Sequence, residues 1–330
     1  MALSMVPFAS LVIHEAWGKA AFLPTTTVLE LSEDAKEVCD RARHSLKLFE
    51  DTHRGIDGQL DFFEREILRE HSRYFLGNTW LRLARCLETD LGVSRYNGTV
   101  VRTTHSSAFH IGISPNQLLS DDGGSYVHST AYHLGRCLGA LEAIGQAEES
   151  RTFVSHAVSS KLSDRDVRAA RYYGRGFNGS ETPHLNGVLT DFQAMVNFAT
   201  SVITIGSDPL SLEYTVFKIR YVTLYHVLAS LLQLRTRDDL GLSRDSCRII
   251  DKVTGSVEAQ IITARSTRGF RNILVHYDPR GKAEEMDLEK PLLGLVPIFF
   301  PEHDFTSLSA LVDQCARDTS RELNQWAAAR

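Results

Sequence analysis

Apolar residues recur at three- and four-residue intervals along most of the chain, which is the period of an amphipathic helix. From Glu33 to Asp51 the positions are Val38, Ala42, Leu46 and Phe49, with Ser32 as the N-cap and two acids in the first turn. Leu60 to Phe75 predicts a second helix. Asn78 caps a third, Trp80 to Leu91, which Gly92 closes. Ser94 to Ser114 breaks the period. Val100, Val101, Thr103 and Thr104 follow an Asn97-Gly98 turn, which fits a short hairpin or an extended loop. Asp121-Asp122-Gly123-Gly124 reads as a turn, and helix resumes from Tyr126 to about Gln146, with further helical segments up to Tyr173.

Gly174 to Pro183 holds three glycines, a serine and a proline between periodic segments, and there we place a domain boundary, with residues 1–180 on one side and 181–330 on the other. Beyond it the pattern predicts helices at Leu185 to Ile205, Leu212 to Leu234, Ser243 to Arg265, a short one at Thr267 to Tyr277, and Phe305 to Ala327. Asp278-Pro279-Arg280-Gly281 stops the short helix. Leu292 to Phe300, interrupted by Pro297, predicts an extended packing segment. Long helices with short links imply an antiparallel bundle. The expected fold class is therefore all-α: a C-terminal antiparallel helical bundle after a mostly helical N-terminal domain that holds the short hairpin or extended loop.

Composition narrows the class. With 330 residues there is room for two cores. Hydrophobic residues at 43% and charged residues at 23% describe an ordinary globular chain. The net charge of -5 advertises no general affinity for nucleic acid, so any RNA site has to be a local patch. Cys39, Cys86, Cys137, Cys247 and Cys315 are far apart and odd in number, with no C-x-x-C pair. They read as small core residues in a reducing cytosol rather than a disulfide framework or zinc knuckle. Met1 to Phe8 has no basic leader, and Tyr221 to Leu234, the longest apolar stretch, is interrupted by Thr223, His226, Ser230 and Gln233. The expectation is a cytoplasmic protein with no membrane partner.

The densest chemistry lies between Arg265 and Lys282. Arg265, Arg268, Arg271, Arg280 and Lys282 are opposed inside that span only by Asp278, and Phe270 and Tyr277 are interleaved with them. Cations for phosphates and rings for unstacked bases are what RNA binding uses. Asn272 and His276 are four apart and share a helix face, Arg271 lies beside it, and Ile273, Leu274 and Val275 supply the buried side. His276 falls in the last turn, where the carbonyl end of a helix favours a protonated ring. Histidine can move a proton at a ribose 2′-hydroxyl or a leaving 5′-oxygen, and arginine can hold the charge that develops on phosphate. Spacing alone leaves the plain alternative open: a salt-bridging surface arginine and a solvated or capping histidine.

The segment Phe270-Arg271-Asn272-Ile273-Leu274-Val275-His276-Tyr277 resembles the R-x4-6-H motif of the HEPN superfamily in its R-N-x3-H form, and the order of helices around it is similar as well. The resemblance covers roughly residues 185 to 330. It implies an all-helical domain that pairs two motifs across a two-fold axis, and metal-independent ribonuclease activity of the kind found in toxin–antitoxin and anti-phage systems. On that basis Arg271 and His276 are the expected catalytic residues and Asn272 orients them, while the cationic patch itself makes Arg265, Arg268, Phe270, Tyr277, Arg280 and Lys282 the expected RNA-binding residues, with packing in the bundle as the alternative for Tyr277. No metal or other cofactor is implied. The expected partners are RNA, a second copy of the chain and a regulatory or antitoxin protein. One toxin branch carries R-x4-H-x-Y. Here Tyr277 follows the histidine directly, so modification of that tyrosine is not implied. The alternative function is a non-catalytic helical module that binds RNA or protein.

Other candidates are weaker. His105 and His110, and His128 and His133, are five apart and lack the H-E-x-x-H pattern of a zinc helix. Ser106-Ser107 and Ser159-Ser160 have no hydrolase-elbow context, and no phosphate-binding glycine loop opens a helix. Lys218, Arg220, His226 and Arg235 share one helix, where they either border an RNA cleft or form an exposed basic face.

Overall fold

The computed structural model describes residues 2–20, 32–44, 56–145, 158–179, 182–203, 213–276, 287 and 290–328. Among them the chain is mostly helical, as expected, and carries one small three-stranded antiparallel sheet. It divides into two compact units. One comprises Met1–Ser150, Ser159–Ala194 and Ala327–Arg330, the other Arg151–Val158 and Met195–Trp326.

The first unit opens with α1 (Ala2–Ala20) and α2 (Glu33–His44). Ser32 caps α2 as predicted, its hydroxyl accepting from the Ala35 amide at 3.3 Å. Val38, Cys39 and Ala42 of α2 share an apolar core with Val6 and Ile13 of α1 and with Leu134 and Cys137. α3 (Ile56–Phe62) runs through a π-helical stretch, Phe63–His71, into α4 (Ser72–Phe75), giving the helix expected over 60–75 a wider turn in its middle.

The helix expected from Trp80 to Leu91 does not form. Only Arg82–Leu87 coil, as a 3-10 turn with no buried residue. Asn78 donates to the Tyr74 carbonyl at 2.6 Å instead of capping a following helix. Leu91 opens β1 (Leu91–Tyr96), which turns through Asn97 (φ 50°) and Gly98 (φ 83°) into β2 (Thr99–Thr103). Two consecutive positive φ values are what a tight two-residue hairpin turn demands. Gly92 ends no helix. It is part of β1, where a Cβ would come within 2.7 Å of the Thr104 methyl.

A third strand, β3 (Leu162–Val167), pairs antiparallel with β1, from Leu91 opposite Val167 to Tyr96 opposite Leu162, in the order β2-β1-β3. This corrects the helical expectation for that segment. The inner residues of β3 are exposed and polar, as edge strands often are, so no apolar period marks it in the sequence.

Short helices α5 (Ser107–His110) and α6 (Pro115–Leu119) precede α7 (Gly123–Gly145), and α8 (Ala169–Tyr173) follows the sheet. α9 (Pro183–Asn197) continues into a π turn, Phe198–Val202, and the division between the units falls within α9.

In the second unit α10 (Glu213–Arg235) is buried on every side from Val216 to Leu228. Lys218, Arg220 and His226 are therefore interior residues, not an exposed basic face. Arg220 binds Asp313 at 2.6 Å and donates to the Ala199 and Ile203 carbonyls at 3.1 and 2.9 Å, satisfying backbone acceptors at the end of the π turn. Arg235 is exposed and pairs with Asp251 at 2.8 Å. The helix expected over 243–265 is broken at Gly255 into α11 (Arg244–Thr254) and α12 (Val257–Thr263), because Ser256 caps a new start on the Ala259 amide. α13 (Arg268–His276) carries the arginine-rich motif and packs on α10, as do α11 and α12. The segment expected to be extended forms a 3-10 turn, Pro291–Gly294, and α14 (Val296–Phe299), with Pro297 in the first turn, where a missing amide costs no helical bond. α15 (Phe305–Ala328) closes the chain, its Asn324 amide exchanging hydrogen bonds with Asn197 at 2.9 Å each. No described helix is long and apolar enough to cross a membrane.

Candidate functional site

The motif helix is built from its core outward. Thr267 anchors its start, donating to the Ile262 and Ala264 carbonyls at 2.9 and 2.7 Å. Phe270 then enters an aromatic cluster with Tyr221 (ring centroids 5.1 Å apart), Phe300 (5.2 Å) and Phe299 (5.7 Å). It is wholly buried, so the expectation that it stacks an RNA base is corrected: the ring is consumed by the core. Gly269 leaves room for Phe299, whose ring would lie 2.7 Å from a Cβ there. Ile273, Leu274 and Val275 are buried, as the pattern predicts.

What remains accessible on α13 is a ridge spaced at i, i+4 and i+8. Arg268 is exposed, and Asn272 and His276 are half-buried. The helix persists through His276, so the four-residue spacing of Asn272 and His276 holds. Arg271 lies behind this ridge and is only 5% exposed. Its Nη1 donates to Asn272 Oδ1 at 2.6 Å, and its guanidinium sits over the Tyr225 ring at 5.5 Å. Burial pulls the guanidinium down to about 10, which still leaves it charged at neutral pH. Burial raises the Tyr225 hydroxyl, and the charge of Arg268 opposes that shift. Arg265 is exposed on the 3-10 turn that precedes the helix. Tyr277, Arg280 and Lys282 lie outside the described residues.

Tyr225 is the member of this group that the sequence reading passes over. Its signal is visible in retrospect: Phe217, Tyr221 and Tyr225 repeat every four residues, an aromatic ladder facing the motif helix. Chemically, the arrangement offers a buried fixed cation, an amide held by it, an exposed cation and an imidazole on one helix.

A second polar group is buried in the first unit. The Nε2 of His105 faces the Asp90 carbonyl at 2.9 Å and its Nδ1 faces the Tyr173 hydroxyl at 3.0 Å. A carbonyl only accepts, so Nε2 carries the proton and Tyr173 donates to Nδ1. His71 stands edge-on to His105 at 4.6 Å. Burial, with His71 adding to it, pushes His105 down to about 3, which keeps the ring neutral. Nearby, Thr103 donates to Asp191 at 3.5 Å, and burial raises that carboxyl to about 7. His105 is thus a satisfied interior residue. Among the described residues no three His, Cys, Asp or Glu side chains are grouped as metal ligands. None of the described cysteines forms a disulfide. Cys39, Cys137 and Cys315 are buried as expected of core residues, while Cys86 is exposed.

Comparison of the chain with protein-family models, curated proteins and solved structures finds no match.

Proposed function

We propose that the second unit is a HEPN-like helical domain and a metal-independent endoribonuclease. The observation that carries this reading is the Arg271–Asn272 hydrogen bond beneath an accessible ridge that ends in His276. In the proposed reaction the ribose 2′-hydroxyl attacks the adjacent phosphorus and the bond to the 5′-oxygen breaks, leaving a 2′,3′-cyclic phosphate. His276 moves a proton at one of those oxygens. Arg268 meets phosphate from the exposed ridge. Arg271 fixes Asn272 and contributes positive charge from behind. One histidine cannot be acid and base in the same step, so two motifs facing each other in a homodimer complete the site. A defence or toxin–antitoxin setting, with a regulatory or antitoxin partner and a cytoplasmic location, follows from the motif resemblance.

The experiment is cleavage of labelled RNA in EDTA by the wild type and by His276→Ala. The burial of Arg271 favours a second reading, in which the arginine is a structural tie between α13 and α10 and the accessible ridge binds RNA or protein without cleaving it. Binding that survives in the absence of any cleavage selects that reading.

A further inference from the structure

The loop between α4 and β1 holds its apolar side chains outward. Trp80 is 91% exposed, Leu83 92%, Leu87 78% and Leu81 60%. This is not a slack loop. Glu88 accepts from the Gly77 and Thr79 amides at 2.7 Å each and so closes its base. Arg168 donates to the Arg85 and Glu88 carbonyls at 2.8 and 3.3 Å, and Arg85 Nε donates to the Thr79 carbonyl at 3.1 Å. These bonds hold the tip in one shape while its large apolar side chains meet water.

The 3-10 geometry sorts the side chains into ridges, because residues three apart eclipse in such a helix. Within Arg82–Leu87, Leu83 and Cys86 form one, Ala84 and Leu87 the next, and Arg82 and Arg85 the third, while Trp80 and Leu81 precede the turn. From His71 to Leu87 the chain has no acidic residue, although the protein as a whole carries -5. Glu88, the first acid beyond, is spent on the two backbone amides. The tip thus presents four exposed apolar side chains, Trp80, Leu81, Leu83 and Leu87, beside two exposed cations, Arg82 and Arg85.

We propose that this tip docks on an anionic lipid surface, with Trp80, Leu81, Leu83 and Leu87 entering the headgroup–acyl boundary and Arg82 and Arg85 meeting lipid phosphates. Tryptophan suits that boundary, and arginine beside leucine is the composition of interfacial segments. Single-stranded RNA would also accept the arginines and the indole, but it has no use for three exposed leucines. No described helix is long and apolar enough to cross a bilayer, and lying on a surface is a different geometry.

The test is co-sedimentation of the full chain with phosphatidylcholine vesicles, with and without phosphatidylglycerol. The wild type should pellet with the anionic vesicles, far less with neutral ones, and less in high salt. Trp80→Ser/Leu83→Ser should lose most of the pelleting while melting as the wild type does, since neither side chain is packed. Arg82→Gln should lose part of it and only on anionic vesicles. Equal pelleting of the wild type and the double variant overturns the proposal. So does a fluorescent oligouridylate that binds through Trp80 when vesicles do not. So does self-association of the wild type, abolished by the double variant, without vesicle binding.

Discussion

Arg271 donates to the side-chain oxygen of its neighbour Asn272 at 2.6 Å while its guanidinium covers the Tyr225 ring. This turns Asn272 so that its amide nitrogen, not its oxygen, is the atom left to meet a ligand. Asn272→Asp should therefore place a carboxylate against Arg271 and put negative charge where phosphate would approach. We expect RNA affinity and cleavage both to fall, with no loss of melting temperature. Asn272→Ala should be milder for activity. Arg271→Lys should fail to restore activity, because a point charge cannot both cover the ring and reach the amide in the planar manner of a guanidinium. Arg271→Ala should cost on the order of 3 kcal/mol of transition-state stabilisation. If Asn272→Asp cleaves RNA like the wild type, this geometry has no part in the chemistry.

The first unit carries a pH signature. Asp191 is raised from an ordinary 3.8 to about 7 by burial. Between those values the folded chain keeps a proton that the unfolded chain has released, so stability falls as pH rises through that window. His105 and His110, each lowered from 6.5 to about 3 by burial, have the opposite sign: their contribution is lost as pH falls from 6.5 towards 3. Asp191→Asn removes only the first effect. Its melting temperature relative to the wild type should rise from pH 5 to pH 8. A constant offset between the two proteins across that range would show that Asp191 is not titrating as described.

Gly187 of α9 is held to glycine by Phe63. A Cβ there would lie 2.4 Å from the Phe63 ring, which is fully buried and packs edge-on to Tyr173 with centroids 6.1 Å apart. Alanine normally favours helix over glycine. Here Gly187→Ala should instead destabilise by roughly 1–3 kcal/mol, as overpacking of a filled core does. Phe63→Leu in the same background should recover part of the loss in a urea titration. Stabilisation by Gly187→Ala alone would contradict the packing.

The Asn97-Gly98 hairpin is legible in the sequence because its positive φ values select residue types directly. The motif helix is legible because Phe270, Ile273 and Leu274 bury one face at helical spacing. β3 was not legible: its side chains face solvent, and what makes it a strand is its backbone ladder to β1, which no side-chain pattern records. The break at Gly255 is not legible because glycine is tolerated inside helices and only Ser256 capping Ala259 turns it into an end. The interior position of α10 hides Lys218 and Arg220, whose charges read as surface until Asp313 and two backbone carbonyls are brought to Arg220 from distant parts of the chain. The candidate site divides in the same way. Asn272 and His276 share a face by spacing alone, whereas the burial of Arg271 depends on Tyr225, 46 residues earlier in the chain.

The central claim rests on His276, and cleavage of a uniformly labelled RNA in excess EDTA tests it most directly. The wild type should cut and leave 2′,3′-cyclic phosphate ends. DNA, and RNA methylated at the 2′-oxygen of the cut site, should resist. His276→Ala, folded as judged by an unchanged melting temperature, should slow the reaction by roughly a hundred- to ten-thousand-fold. A folded His276→Ala protein that cleaves at the wild-type rate would contradict the account.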